Sequence, residues 1–270
     1  MRTETIYDGV SAALNAGAAL GAPMTVDDNP FAVVPEGYKL HDLEAFGLQP
    51  RRIRQKIPLR SLESFTEYVA RFKNDDATTI FADQDNTRLT CVLDYHPNPA
   101  EADWCDHVAT YNCPLSRSWK NWLTADGKTM KQADFAKFIE DNLPDIAEPN
   151  GSDLLIISRS LEAKKKVDFE SAVRLDNGET QFTYNEEIKG TAGKGTLEIP
   201  EIFVLGIPVF HGGDAYKLEA RLRYRINDGQ LLMWFDLLRP ERLLEDAFNQ
   251  VIARVKEQLP VMLLEASSPF

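Results

Sequence analysis

The sequence has little cysteine and no cysteine pattern. Its 270 residues include three cysteines, Cys91, Cys105 and Cys113. Their odd number and the lack of a Cys-x-x-Cys spacing predict neither a disulfide framework nor a cysteine zinc site. This cysteine content indicates a reducing compartment.

The sequence also lacks long apolar runs. No stretch approaches the roughly 20 apolar residues that a membrane helix needs, so we expect no membrane partner. Between Met1 and Ala22, Glu4 and Asp8 stand where a secretory signal would be basic. We therefore expect a cytoplasmic protein.

Positive charge is scarce relative to negative charge. The 42 acidic and 30 basic residues leave a net charge of -12. Such a charge repels polyanions and favours solubility, so contact with a nucleic acid requires a local basic patch. With 43% hydrophobic residues, the chain has enough apolar surface for a large globular core.

Alternating apolar and charged residues predict antiparallel strands. Lys217 to Ile226 alternates strictly before a turn at Asn227-Asp228-Gly229, which predicts one buried face and one wet face. The partner strand, 231–238, is apolar on both faces, so we expect protein to cover its second face. Two further hairpins are predicted, one around Asn177-Gly178 and one with its turn at 83–86.

Helical periodicity marks four other segments. Apolar residues repeat at helical spacing in 61–73, 131–143 and 240–258, and more thinly in 1–22. The stretch 29–38 has two prolines and a glycine, which is typical of an extended arm. The predicted fold class is α+β, with a sandwich or barrel-like antiparallel core, flanking helices and an N-terminal helix and arm.

Three regions follow from these elements. We assign 1–45 to the N-terminal helix and arm, 46–146 to an α+β subdomain, and 147–270 to an antiparallel sheet with a C-terminal helix. Helix-breaking residues at 147–152 suggest the second boundary. The alternative joins the last two regions into one continuous domain.

Basic side chains form two candidate binding strips for a nucleic acid or a small anionic ligand. Arg221, Arg223 and Arg225 follow one strand face at intervals of about 7 Å, a spacing that could track a phosphate backbone. The alternative is cross-strand pairing with acidic residues. The second strip consists of Arg51, Arg52 and Arg54.

The glycine-rich loop at 190–196 offers a further basic side chain, Lys194. A phosphate-binding P-loop has four residues between its first glycine and its Gly-Lys pair. Here only two residues separate Gly190 from the pair Gly193-Lys194, so the loop does not match a P-loop. A hairpin tip that contacts a partner through Lys194 is the simpler interpretation.

Four residues could bind a metal at a strand end. Asp94 and His96 end one predicted strand, and Asp106 and His107 precede the next, so their side chains could hold a divalent ion that activates water. The alternative is a polar loop held by hydrogen bonds. No familiar catalytic motif is present, so we expect no cofactor and favour a non-enzymatic protein.

Four segments together carry a family resemblance. Val33 to Glu44, Ser64 to Phe72, Val92 to His96 and Phe135 to Asn142 resemble the YfdQ-like family of uncharacterised proteins from tailed bacteriophages and prophages. The similarity spans nearly the whole chain. It implies a phage origin and a location in the bacterial cytoplasm, but it implies no activity.

The function hypothesis that these observations favour is a non-enzymatic phage accessory protein that binds or assembles as a homo-oligomer. The arm, the N-terminal helix and the apolar segment 260–264 lack an obvious use within one chain. The alternatives are a nucleic-acid-associated protein of phage recombination or replication and a metal-dependent hydrolase. Capture of a small ligand at a subunit boundary is a further alternative.

Overall fold

Two separate units make up the chain, Met1–Ile53 and Arg54–Phe270. The structure is a computed structural model that describes residues 11–15, 17–18, 24–26, 29–31, 37, 44–160, 190–191, 196–197, 199–227 and 230–269.

Short elements form the described part of the first unit. Residues 11–15 and 17–18 are helical, as the periodicity predicts. Strands β1 (Met24–Val26) and β2 (Asn29–Phe31) pair antiparallel, and a 3₁₀ turn spans Glu44–Phe46. The predicted arm at 29–38 therefore begins as one strand of a hairpin, because the backbone around Pro30 is already extended.

The second unit contains the larger elements. Its described helices are α1 (Leu62–Phe72), α2 (Arg117–Ala125), α3 (Gln132–Asp141), α4 (residues 151–160) and α5 (Pro240–Gln258). Its strands through residue 148 are β3 (Gln55–Leu59), β4 (Thr79–Asp83), β5 (Arg88–Val92), β6 (His107–Asn112), β7 (Met130–Lys131) and β8 (Ile146–Glu148). The later strands are β9 (Gly190–Thr191), β10 (Thr196–Leu197), β11 (Ile202–Pro208), β12 (Ala215–Asn227), β13 (Gln230–Leu237) and β14 (Met262–Glu265).

Ten of these strands form two open five-stranded sheets. The first sheet has the order β14-β4-β5-β6-β3, with antiparallel inner pairs and a parallel strand at each edge. The second sheet, β7-β13-β12-β11-β8, is antiparallel throughout. The α+β class is thus confirmed, and neither sheet closes into a barrel.

Turn chemistry explains two of the hairpins. Asp83 at the end of β4 accepts a hydrogen bond from the Asn86 amide at 3.1 Å, which closes the predicted turn before β5. β12 and β13 pair through Asn227 and Gln230, as predicted, although residues 228–229 lie outside the described part. The hairpin predicted around Asn177-Gly178 also lies outside the described residues.

Helix boundaries follow local signals. Ser61 caps α1 by accepting a hydrogen bond from the Ser64 amide at 3.1 Å. Pro240 occupies the first turn of α5, where its missing N–H costs nothing. The helix α2 was not predicted; Ser116 caps it, and only two large side chains, Trp119 and Trp122, face the core.

An aromatic cluster joins α2 and α3 to the inner face of the second sheet. The Trp122 ring centroid lies 5.1 Å from that of Phe235 on β13 and 5.9 Å from that of Phe203 on β11. Phe138 of α3 lies 5.0 Å from Trp122. Because two helices and two strands share these contacts, the cluster fixes the face on which these helices pack.

Residues from both sides of the predicted boundary at 147 belong to one hydrophobic core, as Trp122 and Phe203 illustrate. The segment between β6 and α2 also bonds to β11 and to the residues after it. Ser116 donates a hydrogen bond from its hydroxyl to the Pro208 carbonyl at 2.5 Å, and Leu115 bridges to Phe210. The division into three regions remains a prediction.

The two sheets differ in their second face. Every residue of β4 is buried, so the first sheet is covered on both sides at this strand. In the second sheet, buried and more exposed residues alternate along β11 and β13. Its outer face is therefore partly exposed to solvent, as the alternation that begins at Lys217 predicts.

Among the described helices, none combines the length and apolar character needed to span a bilayer.

We expect Phe235→Ala to lower the free energy of unfolding by about 3–5 kcal/mol, because it removes a fully buried ring from the aromatic cluster. Urea denaturation followed by circular dichroism measures this change. Leu123→Ala is the matched control, because Leu123 on α2 is 37% exposed and should cost less than about 1 kcal/mol. Equal losses for the two variants would contradict the assigned core.

Candidate functional site

The outer face of the second sheet carries the predicted row of arginines. Arg221, Arg223 and Arg225 occupy alternate positions of β12 and so share one face. The strand register places Arg221 opposite Asp236 and Arg223 opposite Trp234, both on β13. We call this surface, formed by the outward side chains of β11, β12 and β13, the open face.

Acidic neighbours pair with two of these arginines. Arg223 Nε donates to Asp236 Oδ2 at 3.1 Å. Arg221 Nε lies 3.6 Å from Glu201 Oε1, which is close enough for an ion pair and too long for a hydrogen bond. Arg221 Nε is buried and has no hydrogen-bond partner among the described residues. Two of the three arginines therefore have an acidic neighbour within ion-pair distance.

The third arginine contacts an aromatic ring. The Arg225 guanidinium carbon lies 5.6 Å from the Trp234 ring centroid, a cation–π distance. Trp234 and Leu232 of β13 are half-buried, and Ile202 of β11 is 37% exposed. We predicted that protein covers this side of β13; within the described part of the chain, the Arg225 guanidinium lies over the indole and the face stays partly exposed.

Positive and negative charges are balanced across the open face. Lys217 Nζ, for example, lies 2.9 Å from Glu148 Oε1 on the edge strand. Four cations and four carboxylates line β12 and its surroundings, namely Lys217, Arg221, Arg223, Arg225, Glu148, Glu201, Glu219 and Asp236. The face is an amphipathic surface rather than a uniformly basic track.

The second predicted strip is divided between the two units. Arg51 and Arg52 belong to the first unit, where the Arg51 amide donates to Glu44 Oε1 at 2.8 Å. Arg54 belongs to the second unit, where its Nε lies 3.9 Å from Asp106 Oδ2. Lys194 lies outside the described residues, so its predicted role remains a prediction.

The predicted metal cluster lies in the connection between β5 and β6. Asp94 uses both carboxylate oxygens to hold the backbone there. Its Oδ2 accepts from the Asp106 amide at 2.9 Å, and its Oδ1 accepts from the His107 amide at 3.0 Å. This arrangement fixes the start of β6.

His96 makes a separate set of contacts. Its Nδ1 accepts a hydrogen bond from the Asp103 amide at 3.0 Å, which assigns the ring proton to Nε2 in the neutral ring. Nε2 lies 3.8 Å from Cys105 Sγ. His96 thus closes the loop 96–105.

His107 is oriented toward α1. Its Nε2 lies 2.8 Å from the Tyr68 hydroxyl, and its ring packs edge-on against Tyr68 and Phe72. Burial lowers the pKa of His107, although the nearby Asp94 carboxylate acts in the opposite direction. The residue is therefore a hydrogen-bonded part of the core.

The four candidate metal ligands are consequently engaged with different partners. Among the described residues, no group of three or more His, Cys, Asp and Glu side chains is arranged to hold a metal ion. The metal hypothesis remains a prediction that this geometry does not favour.

A surface cavity of about 340 Å³ lies beside α3. Its charged side chains are paired: Lys137 with Asp141, and Arg159 with Glu140, each at 2.8 Å. Gln132 Nε2 donates to the Ser158 carbonyl at 2.6 Å near the end of α4. These polar contacts join α3 to α4.

The geometry defines an α+β protein with one sheet buried on both faces and a second sheet open on one. The chain belongs to the family DUF2303, described as an uncharacterized conserved protein, whose model matches residues 7–265. No curated protein and no solved structure matches the chain. The resemblance is thus confirmed as far as membership of an uncharacterised conserved family.

We expect Asp94→Ala to lower the free energy of unfolding by about 1.5–3 kcal/mol, because two backbone amides lose a charged acceptor. Chemical denaturation with and without a chelator measures the effect. Asp103→Ala, at a more exposed loop position, is the control and should cost less. A loss of stability that chelator alone reproduces in the wild-type protein would instead support the metal hypothesis.

His107 should make stability depend on pH below its ordinary pKa of 6.5. Because its native pKa is lowered, the unfolded chain binds more protons just below 6.5, so stability falls as the pH falls through this window. NMR titration of the His107 ring, assigned with His107→Gln, should show a midpoint below 6.5. His107→Gln should also reduce the loss of stability on acidification, and an unchanged loss would contradict this role.

Proposed function

We propose that this protein is a non-enzymatic accessory protein of a phage or prophage, which docks a partner protein through the open face. It works in the cytoplasm of the bacterial host as a homo-oligomer. The phage setting rests on the family resemblance of the sequence, and the docking role rests on the chemistry of the open face.

The observation that carries the docking role is the Arg225–Trp234 contact on the open face. Tryptophan and arginine are the residues most enriched at the energetic centres of protein interfaces. Leu232 lies opposite Arg225 in the strand register, and the outward side chains of the central strand β12 are charged. An aromatic side chain beside charged and polar groups is a combination that protein-binding surfaces use.

Charge balance favours a protein partner over a polyanion. Arg221 and Arg223 already have carboxylates within ion-pair distance. A phosphate backbone would have to displace Glu201 and Asp236 or lie beside them, which reduces the gain from counterion release. A protein surface can instead use the paired charges as hydrogen-bonding groups.

The cysteines support a non-enzymatic role. Cys91, Cys105 and Cys113 are buried. Burial raises the pKa of Cys113 to about 12 and also raises the pKa of Cys91 and of Cys105. Thiols in this state are protonated at neutral pH and are poor nucleophiles.

A second candidate function is binding of single-stranded nucleic acid. Bases stack on exposed aromatic rings, and an arginine beside such a ring adds a cation–π contact. The Arg225–Trp234 pair offers both groups on an open sheet face. Filter binding of a labelled single-stranded oligonucleotide at low salt tests this candidate, and retention that Trp234→Ala abolishes would favour it over a protein partner.

The docking role predicts that a photocrosslinking residue at position 234 captures a defined protein in host cells carrying the phage or prophage, whereas one at Leu123 does not. The captured protein, identified by mass spectrometry and purified, should bind the wild-type protein directly. Trp234→Ala should weaken that binding at least about tenfold, as expected for an interface anchor.

Leu123→Ala supplies the matched control, because Leu123 lies on α2 and not on the open face. It should bind the partner as the wild-type protein does. Crosslinking of equal strength from both positions, or equal affinity of Trp234→Ala and wild type, would refute docking through the open face. Circular dichroism of each variant establishes that the fold is intact.

A further inference from the structure

The edges of the two sheets are protected unequally. An exposed edge strand presents unpaired backbone groups that attract another strand, and proteins protect edges with short strands, proline or lysine. The second sheet ends in β7 and β8, which have two and three residues. The first sheet ends on one side in β3, which contains Lys56 and Pro58.

The fourth edge is β14, a strand of four residues. Its sequence is Met-Leu-Leu-Glu, without proline or lysine. Met262 is 62% exposed and Leu264 is 41% exposed, although both are apolar. In the described part of the chain, β14 ends its sheet with β4 as its strand neighbour.

Backbone geometry shows which groups face away from β4. The Ala266 amide donates to the Ala82 carbonyl at 3.0 Å. Because N–H and C=O groups of successive residues point to opposite sides of a strand, Leu264 and Met262 also direct theirs toward β4. Leu263 and Glu265 therefore direct their N–H and C=O groups outward.

Side chains on β14 also alternate. Leu263 packs against the hydrophobic core, whereas Met262 and Leu264 lie together on the opposite face of the strand. The outward edge thus combines the outward-directed backbone groups of Leu263, for which the described residues supply no strand partner, with exposed apolar side chains on both sides of it. This arrangement is nearly symmetric about Leu263.

We infer that two copies of this chain pair through β14, antiparallel, across a two-fold axis at Leu263. The Leu263 residues of the two copies exchange two backbone hydrogen bonds, and Met262 of each copy lies opposite Leu264 of the other. The two first sheets become one continuous ten-stranded sheet. This inference rests on the homo-oligomer of the proposed function and names the contact that builds it.

Self-pairing fits β14 because the same strand supplies both halves of each contact, as an isologous interface requires. In this register each exposed apolar side chain meets an apolar side chain, and Glu265 lies opposite Val261 rather than another carboxylate. Four residues per copy form a contact smaller than that of a permanent dimer. The dimer should therefore be reversible and depend on protein concentration.

Sedimentation velocity over a range of protein concentrations tests the pairing. The wild-type protein should show a monomer–dimer equilibrium, and Met262→Lys combined with Leu264→Lys should raise the dissociation constant at least about tenfold by placing charges on the edge. Leu123→Lys should leave the equilibrium unchanged. A wild-type monomer throughout, or unchanged association of the double variant, would overturn the inference.

Disulfide crosslinking tests the register. Met262→Cys and Leu264→Cys, mixed in equal amounts and oxidised, should yield a covalent dimer, because residues opposite each other at such positions have neighbouring Cβ atoms. Either variant alone should yield little. Efficient dimers of Met262→Cys alone, or of Leu264→Cys alone, would refute this register.

These results separate the inference from the proposed function. If the double lysine variant forms the oligomer normally, homo-oligomerisation is kept and β14 is rejected as its contact. A wild-type monomer would eliminate both. Docking through the open face is measured independently with Trp234→Ala, which does not alter β14.

Discussion

The aromatic cluster of Trp122, Phe138, Phe203 and Phe235 is the contact on which the arrangement of the second unit depends. Large rings need close packing on every side, so the helices that carry Trp122 and Phe138 lie against the inner face of the second sheet. The outward side chains of the same strands are left nearer to solvent. Core packing on one side thus creates the open face on the other.

The first sheet follows a different rule. Residues on both of its faces are buried, including the polar Thr79, Asp83 and Thr90. Buried polar groups require hydrogen-bond partners, and Asp83 obtains them from the Asn86 backbone and side chain. Side-chain bonding to Asn86 is the largest cause that lowers the pKa of Asp83. The described residues therefore bury both faces of the first sheet at its central strands, whereas they leave the outer face of the second sheet partly exposed.

Local patterns made much of the fold predictable. The strict alternation that begins at Lys217 predicted the face of β12 on which each side chain from Lys217 to Arg225 lies. Pro240 and the apolar residues after it predicted the bounds of α5. The helix α2 was missed because nine residues with two inward tryptophans give too little periodicity to recognise. The edge strand β3 was missed because Pro58 and the neighbouring basic residues resemble a loop.

The candidate site was predictable only in part. The arginine row was found from its spacing, but its partners depend on strand register and on Glu201, which no local pattern relates to Arg221. Trp234 lies in a strand that is apolar on both faces. The sequence pattern therefore could not show whether Trp234 or its neighbour Phe235 faces away from the core. The histidines of the predicted metal cluster are close in sequence, yet His107 contacts Tyr68, a partner 39 positions away.

Pairing of β14 with β4 also has a consequence for synthesis. Thr79 and Met262 are partners separated by 183 positions, and ribosomes add roughly 5–20 residues per second. The hairpin of β4 and β5 therefore emerges roughly 10–40 seconds before the strand that covers its outer edge. During that interval β4, whose residues are all buried in the folded protein, presents an uncovered edge. The nascent chain thus carries an unpaired strand edge, a site for aggregation, while the roughly 170 residues between β5 and β14 are being made.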